Sequence, residues 1–201
     1  MHSESSKPIL IVIAGPNGSG KTSVTNQLLK HHWIENCVYI NPDQIAEDEF
    51  GGWNNIDAIY KAAKIAEERR ENCIKENKSL IFETVFSAND KIDFIKKAIS
   101  NGYFIRFFFI GTNHPEINAK RITNRVLEGG HDVPITKIIT RYSKSISNCT
   151  IISNIVDRLY VYDNSIDFSE AKLLFRTSNG KLLKKYSDIN EWAKPIYKSI
   201  K

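Results

Sequence analysis

One run near the N-terminus combines the residue types that hold a phosphate. It satisfies the pattern G-x-x-x-x-G-K-[ST] and lies between an apolar, strand-like run and a helix-like segment. In this setting glycines turn backbone N–H groups toward a phosphate, the lysine reaches the terminal phosphates and the hydroxyl ligates Mg²⁺. The run therefore predicts a nucleoside triphosphate and Mg²⁺ as ligands; the alternative is a glycine-rich turn that binds nothing. Its members are Gly15, Pro16, Asn17, Gly18, Ser19, Gly20, Lys21 and the predicted metal ligand Thr22.

A candidate base follows the second apolar run, CVYI at 37–40. Asn41 and Asp43 come directly after it. Because the carboxyl ends of the strands line the ligand crevice of an open α/β sheet, we expect Asp43 to face the phosphate loop. A carboxylate there accepts the proton of an acceptor hydroxyl, as the catalytic aspartate of kinases does. The alternative is that Asp43 only caps the helix that follows.

Three further polar residues end predicted strands. Glu83 and Thr84 follow the apolar run at 79–82, and Thr112 lies just past the run at 103–110. We predict that they bind substrate hydroxyls, with Glu83 also able to reach Mg²⁺ through water. The alternative is a cap of a turn or helix.

Arginines predict a lid over the phosphates. Arg121 and Arg125 are four residues apart and share a helix face, while Arg141 lies on the next helix. Gly129-Gly130 separates the two helices. A planar guanidinium holds two phosphate oxygens at once, so we expect these arginines to close on the triphosphate, where a correctly placed guanidinium also accelerates transfer. A solvated basic helix face is the alternative.

Strand-like and helix-like segments alternate around these residues. The alternation predicts an α/β fold with a parallel sheet covered on both faces, in one domain over residues 1–201. After residue 163 two short runs around Asn179-Gly180 predict a β-hairpin, and a helix follows from about 189. The predicted strands are 9–14, 37–40, 79–82, 103–110 and 158–162; the predicted helices are 21–31, 56–76, 90–100, 115–128 and 135–156.

Composition limits the classes of ligand and the cellular compartments that the sequence favours. The chain carries 28 Lys and Arg against 23 Asp and Glu, a net charge of +5, which suits an anionic small substrate or an ordinary basic surface. Three widely spaced cysteines indicate reduced thiols rather than disulfides or a zinc site. The N-terminal segment has neither a signal-peptide architecture nor the length of a membrane span. We expect a cytoplasmic protein without membrane contact.

The remaining motifs separate the classes of protein that share such a phosphate loop. The chain has no N-K-x-D motif of the kind by which GTPases read their base. Its third strand ends in a single acid, Glu83, rather than the Asp-Glu pair of motor ATPases. Phosphoryl transfer to a substrate is the class that is left. Nucleic-acid binding is disfavoured because no basic groove with interleaved aromatic residues is visible.

Together these motifs resemble those of the zeta-toxin family of P-loop kinases. The resemblance covers most of the chain in the family's order, and R-V-x-x-G-G-H-D-V-P is its most specific part. The matching pieces are GPNGSGKT at 15–22, NPDQIA at 41–46, FET at 82–84, RVLEGGHDVP at 125–134, RY at 141–142 and YVYDNS at 160–165.

The resemblance implies a three-layer, adenylate-kinase-like P-loop fold and ATP-dependent phosphorylation of a sugar hydroxyl. UDP-N-acetylglucosamine is the implied type of acceptor, and an antitoxin protein is an implied partner. Lys21 would bind ATP phosphates, Asp43 would be the general base, Glu83 would hold substrate, and Arg125 and Arg141 would stabilise the transferring group. Two alternatives stay open: a kinase of another acceptor, such as a nucleoside or nucleotide, and a non-enzymatic nucleotide-dependent binding module.

Overall fold

A seven-stranded mixed sheet organises the protein. The computed structural model describes residues 7–52, 56–130 and 133–200; the motif residues His131 and Asp132 lie outside them. The strands stand in the order β2-β3-β1-β4-β5-β6-β7, and the first five of these are parallel. All five predicted strands are therefore confirmed. The strands are β1 (Ile9–Ala14), β2 (Val38–Ile40), β3 (Leu80–Thr84), β4 (Phe104–Gly111), β5 (Arg158–Asp163), β6 (Lys172–Ser178) and β7 (Lys181–Lys185).

Helices connect the parallel strands, as the alternation predicts. The helix predicted over 21–31 ends earlier, at Leu28, and the one predicted to 156 ends at Ile152. The C-terminal helix begins as a 3₁₀ turn, Glu191–Ala193. The α-helices are α1 (Lys21–Leu28), α2 (Pro42–Phe50), α3 (Ile56–Lys75), α4 (Asp90–Ser100), α5 (Pro115–Leu127), α6 (Ile135–Ile152) and α7 (Lys194–Ser199).

The central strand shows why both faces of the sheet are covered. Successive residues of a strand point to opposite faces, and every residue of β1 from Leu10 to Ala14 is buried. Leu10 and Val12 belong to the larger core cluster, to which α2, α3, α4, α6 and α7 contribute. Ile11 and Ile13 pack on the other face with Val24 of α1. The fold is thus the predicted three-layer arrangement.

The C-terminal hairpin extends the sheet past β5. β6 pairs antiparallel with β5, and β7 pairs antiparallel with β6. Asn179 and Gly180 join β6 to β7 with φ of 50° and 71°. Two consecutive positive φ values match the type I′ turn that Asn-Gly favours in two-residue hairpins. The predicted hairpin is confirmed, including its turn residues.

Two broad properties follow from the described ranges. None of their helices is both long enough and apolar enough to cross a membrane. Within these ranges Cys37, Cys73 and Cys149 form no disulfide, and burial raises the pKa of each, so each thiol stays protonated at neutral pH.

The contact between Gly111 and Trp192 makes a stability prediction. A Cβ on Gly111 would lie 2.3 Å from two carbon atoms of the Trp192 ring. The ring is buried, and its Nε1 donates to Asp163 Oδ1 at 2.9 Å, so it cannot simply turn away. We expect Gly111→Ala to lower the free energy of unfolding by about 2 kcal/mol, measured by denaturant titration.

A double-mutant cycle checks the cause of that loss. In a Trp192→Leu background the smaller side chain leaves room for the added methyl group. Gly111→Ala should therefore cost clearly less there. An equal cost in both backgrounds would contradict the steric explanation.

Candidate active site

The phosphate loop lies where its motif predicts, between β1 and α1. Gly20 precedes α1 with φ of 87°, a left-handed conformation that glycine adopts without strain. A Cβ at Gly20 would also lie 2.1 Å from Nδ2 of Asn164. Glycine is therefore required here both for the turn and for the approach of a neighbouring side chain. The loop delivers the chain directly into α1, whose first N–H groups have no intrahelical partner.

Two asparagines brace the loop from the β4–β5 side of the sheet. Asn118 of α5 donates from Nδ2 to the carbonyl oxygen of Asn17 at 2.6 Å. Asn164, which follows β5, donates from Nδ2 to the carbonyl oxygen of Ser19 at 2.8 Å. Neither role was predicted, although Asn164 belongs to the YVYDNS motif. The feature of the sequence that indicates the role of Asn164 is its position directly after a predicted strand.

The interior of the loop presents donors that fit an anion. The Ser19 hydroxyl is fully buried and has no hydrogen-bond partner among the described residues. Lys21 donates from Nζ to the carbonyl oxygens of Gly15 and Pro16, at 3.0 and 3.2 Å. Phosphate oxygens are acceptors of the kind that an unpaired hydroxyl and an ammonium can bind. The residues present therefore fit the predicted triphosphate.

Several charged side chains of the site act on the pKa of Lys21. Desolvation lowers the pKa of its ammonium from 10.5 to about 8. The carboxylates of Glu83 and Asp43 oppose that change, and the guanidinium groups of Arg125 and Arg141 add to it. Side chains from four different segments thus lie close enough to Lys21 to act on its charge. The structure brings the predicted base, acid and arginines to one place.

Asp43 stands in the first turn of α2 rather than before it. The N-cap is Asn41, whose Oδ1 accepts from the backbone N–H of Asp43 at 2.9 Å. The alternative that Asp43 caps this helix is therefore wrong, because Asn41 performs that function and Pro42 occupies the first helical position. The Asp43 side chain is exposed and keeps its carboxylate for other contacts.

Tyr39 links Glu83 to Asn41, a contact that the sequence did not reveal. Its hydroxyl donates to Glu83 Oε1 at 2.9 Å and accepts from Asn41 Nδ2 at 2.9 Å. Desolvation and the nearby Glu83 raise the pKa of Tyr39, so it stays protonated as a donor. Asn41, predicted to contact substrate, donates from Nδ2 to Tyr39 and accepts at Oδ1 from the backbone N–H of Asp43, which leaves its second Nδ2 proton for a substrate.

Arg121 and Arg141 reach the phosphate loop from α5 and α6, the two helices of the predicted lid. Arg121 donates from Nη1 to the carbonyl oxygen of Gly18 at 3.4 Å and from Nε to Asp167 Oδ1 at 2.7 Å. The latter bond lowers the pKa of Asp167. Arg141 donates from Nη1 to Asn17 Oδ1 at 3.2 Å. Both guanidinium groups therefore contact the phosphate loop itself, which fits their predicted roles.

The two threonines predicted to bind substrate have structural partners. Thr112 has no exposed surface, and its hydroxyl donates to Asn118 Oδ1. It therefore positions Asn118 and does not face the acceptor site, which corrects the prediction for Thr112. Thr84 is half-buried, and its Oγ1 accepts from the backbone N–H of Phe86 at 3.0 Å. This bond forms a local turn that leaves the Thr84 hydroxyl one lone pair and its proton.

Oxygen donors suited to Mg²⁺ surround the start of α1. Among the residues described, no group of three or more His, Cys, Asp and Glu side chains forms a metal cluster. Thr22 is exposed in the first turn of α1, and Asp43 and Glu83 lie close enough to act on neighbouring Lys21. Mg²⁺ is usually held by one or two protein oxygens together with substrate phosphates, so this donor set fits the ion.

Comparison with known proteins supports the motif analysis. The profile described as Zeta toxin matches residues 1–172. An uncharacterized protein of Haemophilus influenzae is 30% identical over 135 residues, which cover 66% of this chain and 91% of that protein. The range matched by the profile contains the phosphate loop, Asp43, Glu83 and the three arginines of the site.

Solved structures share the fold at low sequence identity. The AvrRxo1-ORF1:AvrRxo1-ORF2 complex with sulphate ions gives a TM-score of 0.68 at 17% identity; the match covers 98% of this chain and 64% of that chain. The same complex was also crystallised with ATP. The PezAT toxin–antitoxin system of Streptococcus pneumoniae gives 0.62 at 18% identity, over 98% and 87% of the two chains. With the family profile matching residues 1–172, the chain belongs to the zeta toxin family.

Proposed function

We propose that the protein is an ATP-dependent kinase that transfers the γ-phosphate to a hydroxyl group of a small acceptor. The observation that carries this proposal is the convergence on Lys21. Two carboxylates, Asp43 and Glu83, and two guanidinium groups, Arg125 and Arg141, all act on its charge. Phosphoryl transfer needs cations around the moving group and an acid that orients the attacking hydroxyl, and this site contains both.

The residues divide into donor and acceptor roles. Ser19, Lys21 and the backbone of the loop bind the triphosphate, and Thr22 would hold Mg²⁺, which neutralises phosphate charge when bound. Asp43 accepts the proton of the acceptor hydroxyl, and Glu83 binds that acceptor from the end of β3. Arg125 and Arg141 stabilise the negative charge on the transferred group.

The acceptor that we propose is a nucleotide-activated amino sugar of the UDP-N-acetylglucosamine type. Family membership supports this choice, and so does the position of Glu83, whose carboxylate suits sugar hydroxyls. The same membership supports a toxin role with an antitoxin partner, and the PezAT system is a fold relative of that description. The fold relative crystallised with ATP supports ATP as the donor.

A mass-spectrometric assay tests this function. The protein is incubated with ATP, Mg²⁺ and UDP-N-acetylglucosamine, and the acceptor should gain the mass of one phosphate. Parallel incubations with nucleosides, nucleotides and a metabolite extract identify any other acceptor. A phosphate gain only in another compound would replace the acceptor and keep the kinase. No phosphate gain in any of them would contradict the kinase proposal.

Removal of the Tyr39 hydroxyl should impair the use of the phosphoryl acceptor and leave ATP binding unchanged. Tyr39→Phe removes the hydroxyl that donates to Glu83 and accepts from Asn41, but it keeps the aromatic ring. A hydrogen bond to a charged group contributes about 1.5–3 kcal/mol, so kcat/KM for the acceptor should fall about tenfold or more. The KM for ATP should stay unchanged in steady-state kinetics.

A matched control uses the exposed Tyr60. It lies on α3, and its side chain is 72% exposed. Tyr60→Phe should leave both kinetic constants as they are. A change in the KM for ATP in Tyr39→Phe, with no change for the acceptor, would show that Tyr39 does not act through Glu83.

A further inference from the structure

A basic cavity adjoins the candidate active site on the α6 side. Its volume is about 320 Å³, within the range of about 300–1,000 Å³ that small-molecule sites occupy. The wall contains three hydroxyl groups and three cations: Ser87, Thr136, Lys137, Thr140, Arg141 and Lys144. No carboxylate contributes to this wall. Its composition therefore favours an anion.

Among the described residues, no carboxylate pairs with the two lysines of the cavity. Over residues 7–52, 56–130 and 133–200, neither Lys137 nor Lys144 forms an ion pair, whereas Lys78, Lys97, Lys185 and Lys194 do. Lys137, Arg141 and Lys144 are spaced four and three residues apart, so they share one face of α6. Like charges held together this way repel each other, and a bound anion relieves that repulsion.

The wall of the cavity is held in place by α6. Ser145 donates from Oγ to the carbonyl oxygen of Val85 at 2.5 Å, and Asn148 donates from Nδ2 to that of Phe86 at 3.1 Å. These bonds attach the segment between Glu83 and Ser87 to the helix that carries the cations. The backbone that carries Ser87 and the helix that carries the lysines are therefore held in a fixed relative position.

The cavity lies toward the acceptor side of the transfer site. Ser87 is four residues past Glu83, in the connection that follows β3. The bracing asparagines Asn118 and Asn164 lie on the other side of the loop, after β4 and β5. Arg141 belongs to both places, since it lines the cavity and contacts Asn17 of the loop.

We propose that Lys137 and Lys144, with Ser87, bind a phosphate or diphosphate group carried by the acceptor. This inference rests on the proposed kinase function and adds the residues that select a phosphorylated acceptor over a neutral one. Arg141 then lies between the anion of the acceptor and the phosphates of the donor. An acceptor without a phosphate group would lack the contact with both lysines.

Binding of inorganic pyrophosphate tests the site without requiring turnover. Calorimetric titration is done on protein saturated with Mg²⁺ and a non-hydrolysable ATP analogue, so that the phosphate loop is occupied. The native protein should bind pyrophosphate and UDP but not uridine. Lys137→Gln/Lys144→Gln should weaken pyrophosphate binding at least about tenfold, because charge-assisted hydrogen bonds are lost.

A control variant that loses the same charge distinguishes specific binding in the cavity from a general electrostatic effect. Lys96→Gln/Lys181→Gln also removes two exposed lysines, on α4 and at the start of β7. This double variant should bind pyrophosphate as the native protein does. Equal weakening in both variants, or no weakening in Lys137→Gln/Lys144→Gln, would overturn the proposal.

The result is distinguishable from failure of the kinase proposal. If the ATP analogue does not bind, the donor site is contradicted, and the titration is repeated in the Lys21→Ala protein. Pyrophosphate binding that depends on Lys137 and Lys144 there still supports the cavity. Absence of pyrophosphate binding in both backgrounds overturns it.

Discussion

Asp43→Asn is expected to lower the rate of phosphoryl transfer about 10³-fold while the affinity for ATP stays within a few-fold. Asparagine has the same shape but cannot accept the proton of the acceptor hydroxyl, and general bases contribute about 10²–10⁴ in rate. Asp43 is exposed and is not the cap of α2, so the fold should tolerate the change. Single-turnover kinetics with saturating acceptor measures the rate, and titration with a non-hydrolysable ATP analogue measures the affinity.

Asp48→Asn is the matched control for that experiment. Asp48 lies on the same helix, α2, and is exposed. The control should transfer phosphate at the native rate. Full turnover in Asp43→Asn would remove the assignment of the base, and Glu83→Gln would then be the variant to examine.

Lys21→Ala is expected to impair both binding and transfer. The ammonium lies inside the loop, where it donates to the carbonyl oxygens of Gly15 and Pro16. Losing charge-assisted bonds to phosphate should weaken ATP binding about tenfold to a hundredfold. Transfer should fall by a further factor of about 10² or more, because the same cation stabilises the transferred group. Lys30→Ala, just past α1 and exposed, should change neither.

The pKa of Lys21 adds a pH dependence to this prediction. Desolvation lowers that pKa to about 8, and bound phosphates would raise it again. The nucleotide complex then binds more protons than the free protein above pH 8, so the affinity for ATP should decrease as the pH rises past 8. The Lys21→Ala protein should lose this decrease. A pH-independent affinity in the native protein would contradict the role of the ammonium.

The same group acts in the opposite direction on folding. Between about pH 8 and the ordinary lysine value of 10.5, the folded protein releases the Lys21 proton while the unfolded chain keeps it. The contribution of this group to the free energy of unfolding therefore increases over that interval. Below pH 8 both states keep the proton, and the cost of burying the charge is fully present. Below pH 8 the desolvation of the Lys21 ammonium therefore lowers the free energy of unfolding. A bound phosphate would offset this cost by pairing with the ammonium.

Local patterns were sufficient to predict much of the fold. Apolar runs rich in branched and aromatic residues marked all five parallel strands, because such runs fit a buried sheet. The Asn179-Gly180 turn was predictable because two positive φ values suit those residues. The phosphate loop was predictable because its glycines, Lys21 and Thr22 follow one another in the chain. Each of these signals lies within a short segment.

Contacts between distant segments were not predictable from the sequence. Thr112 follows a strand as Glu83 does, yet its side chain is buried against Asn118, and no pattern distinguishes the two cases. The bond from Tyr39 to Glu83 joins residues 44 positions apart, and the bond from Asn164 to Ser19 spans 145. Such partners are set by the order of the strands, so their roles emerge only when the sheet is assembled.

The anchoring of α6 has a consequence for how the enzyme closes. Besides the bonds of Ser145 and Asn148, Tyr142 donates from its hydroxyl to the carbonyl oxygen of Thr112 at 2.6 Å, and Cys149 is fully buried. A helix fastened this way cannot swing as a flap, so Arg141 is preorganised. Closure over the nucleotide should therefore be confined to the C-terminal part of α5, which carries Arg125, and nucleotide-bound crystals should show displacement of that part alone.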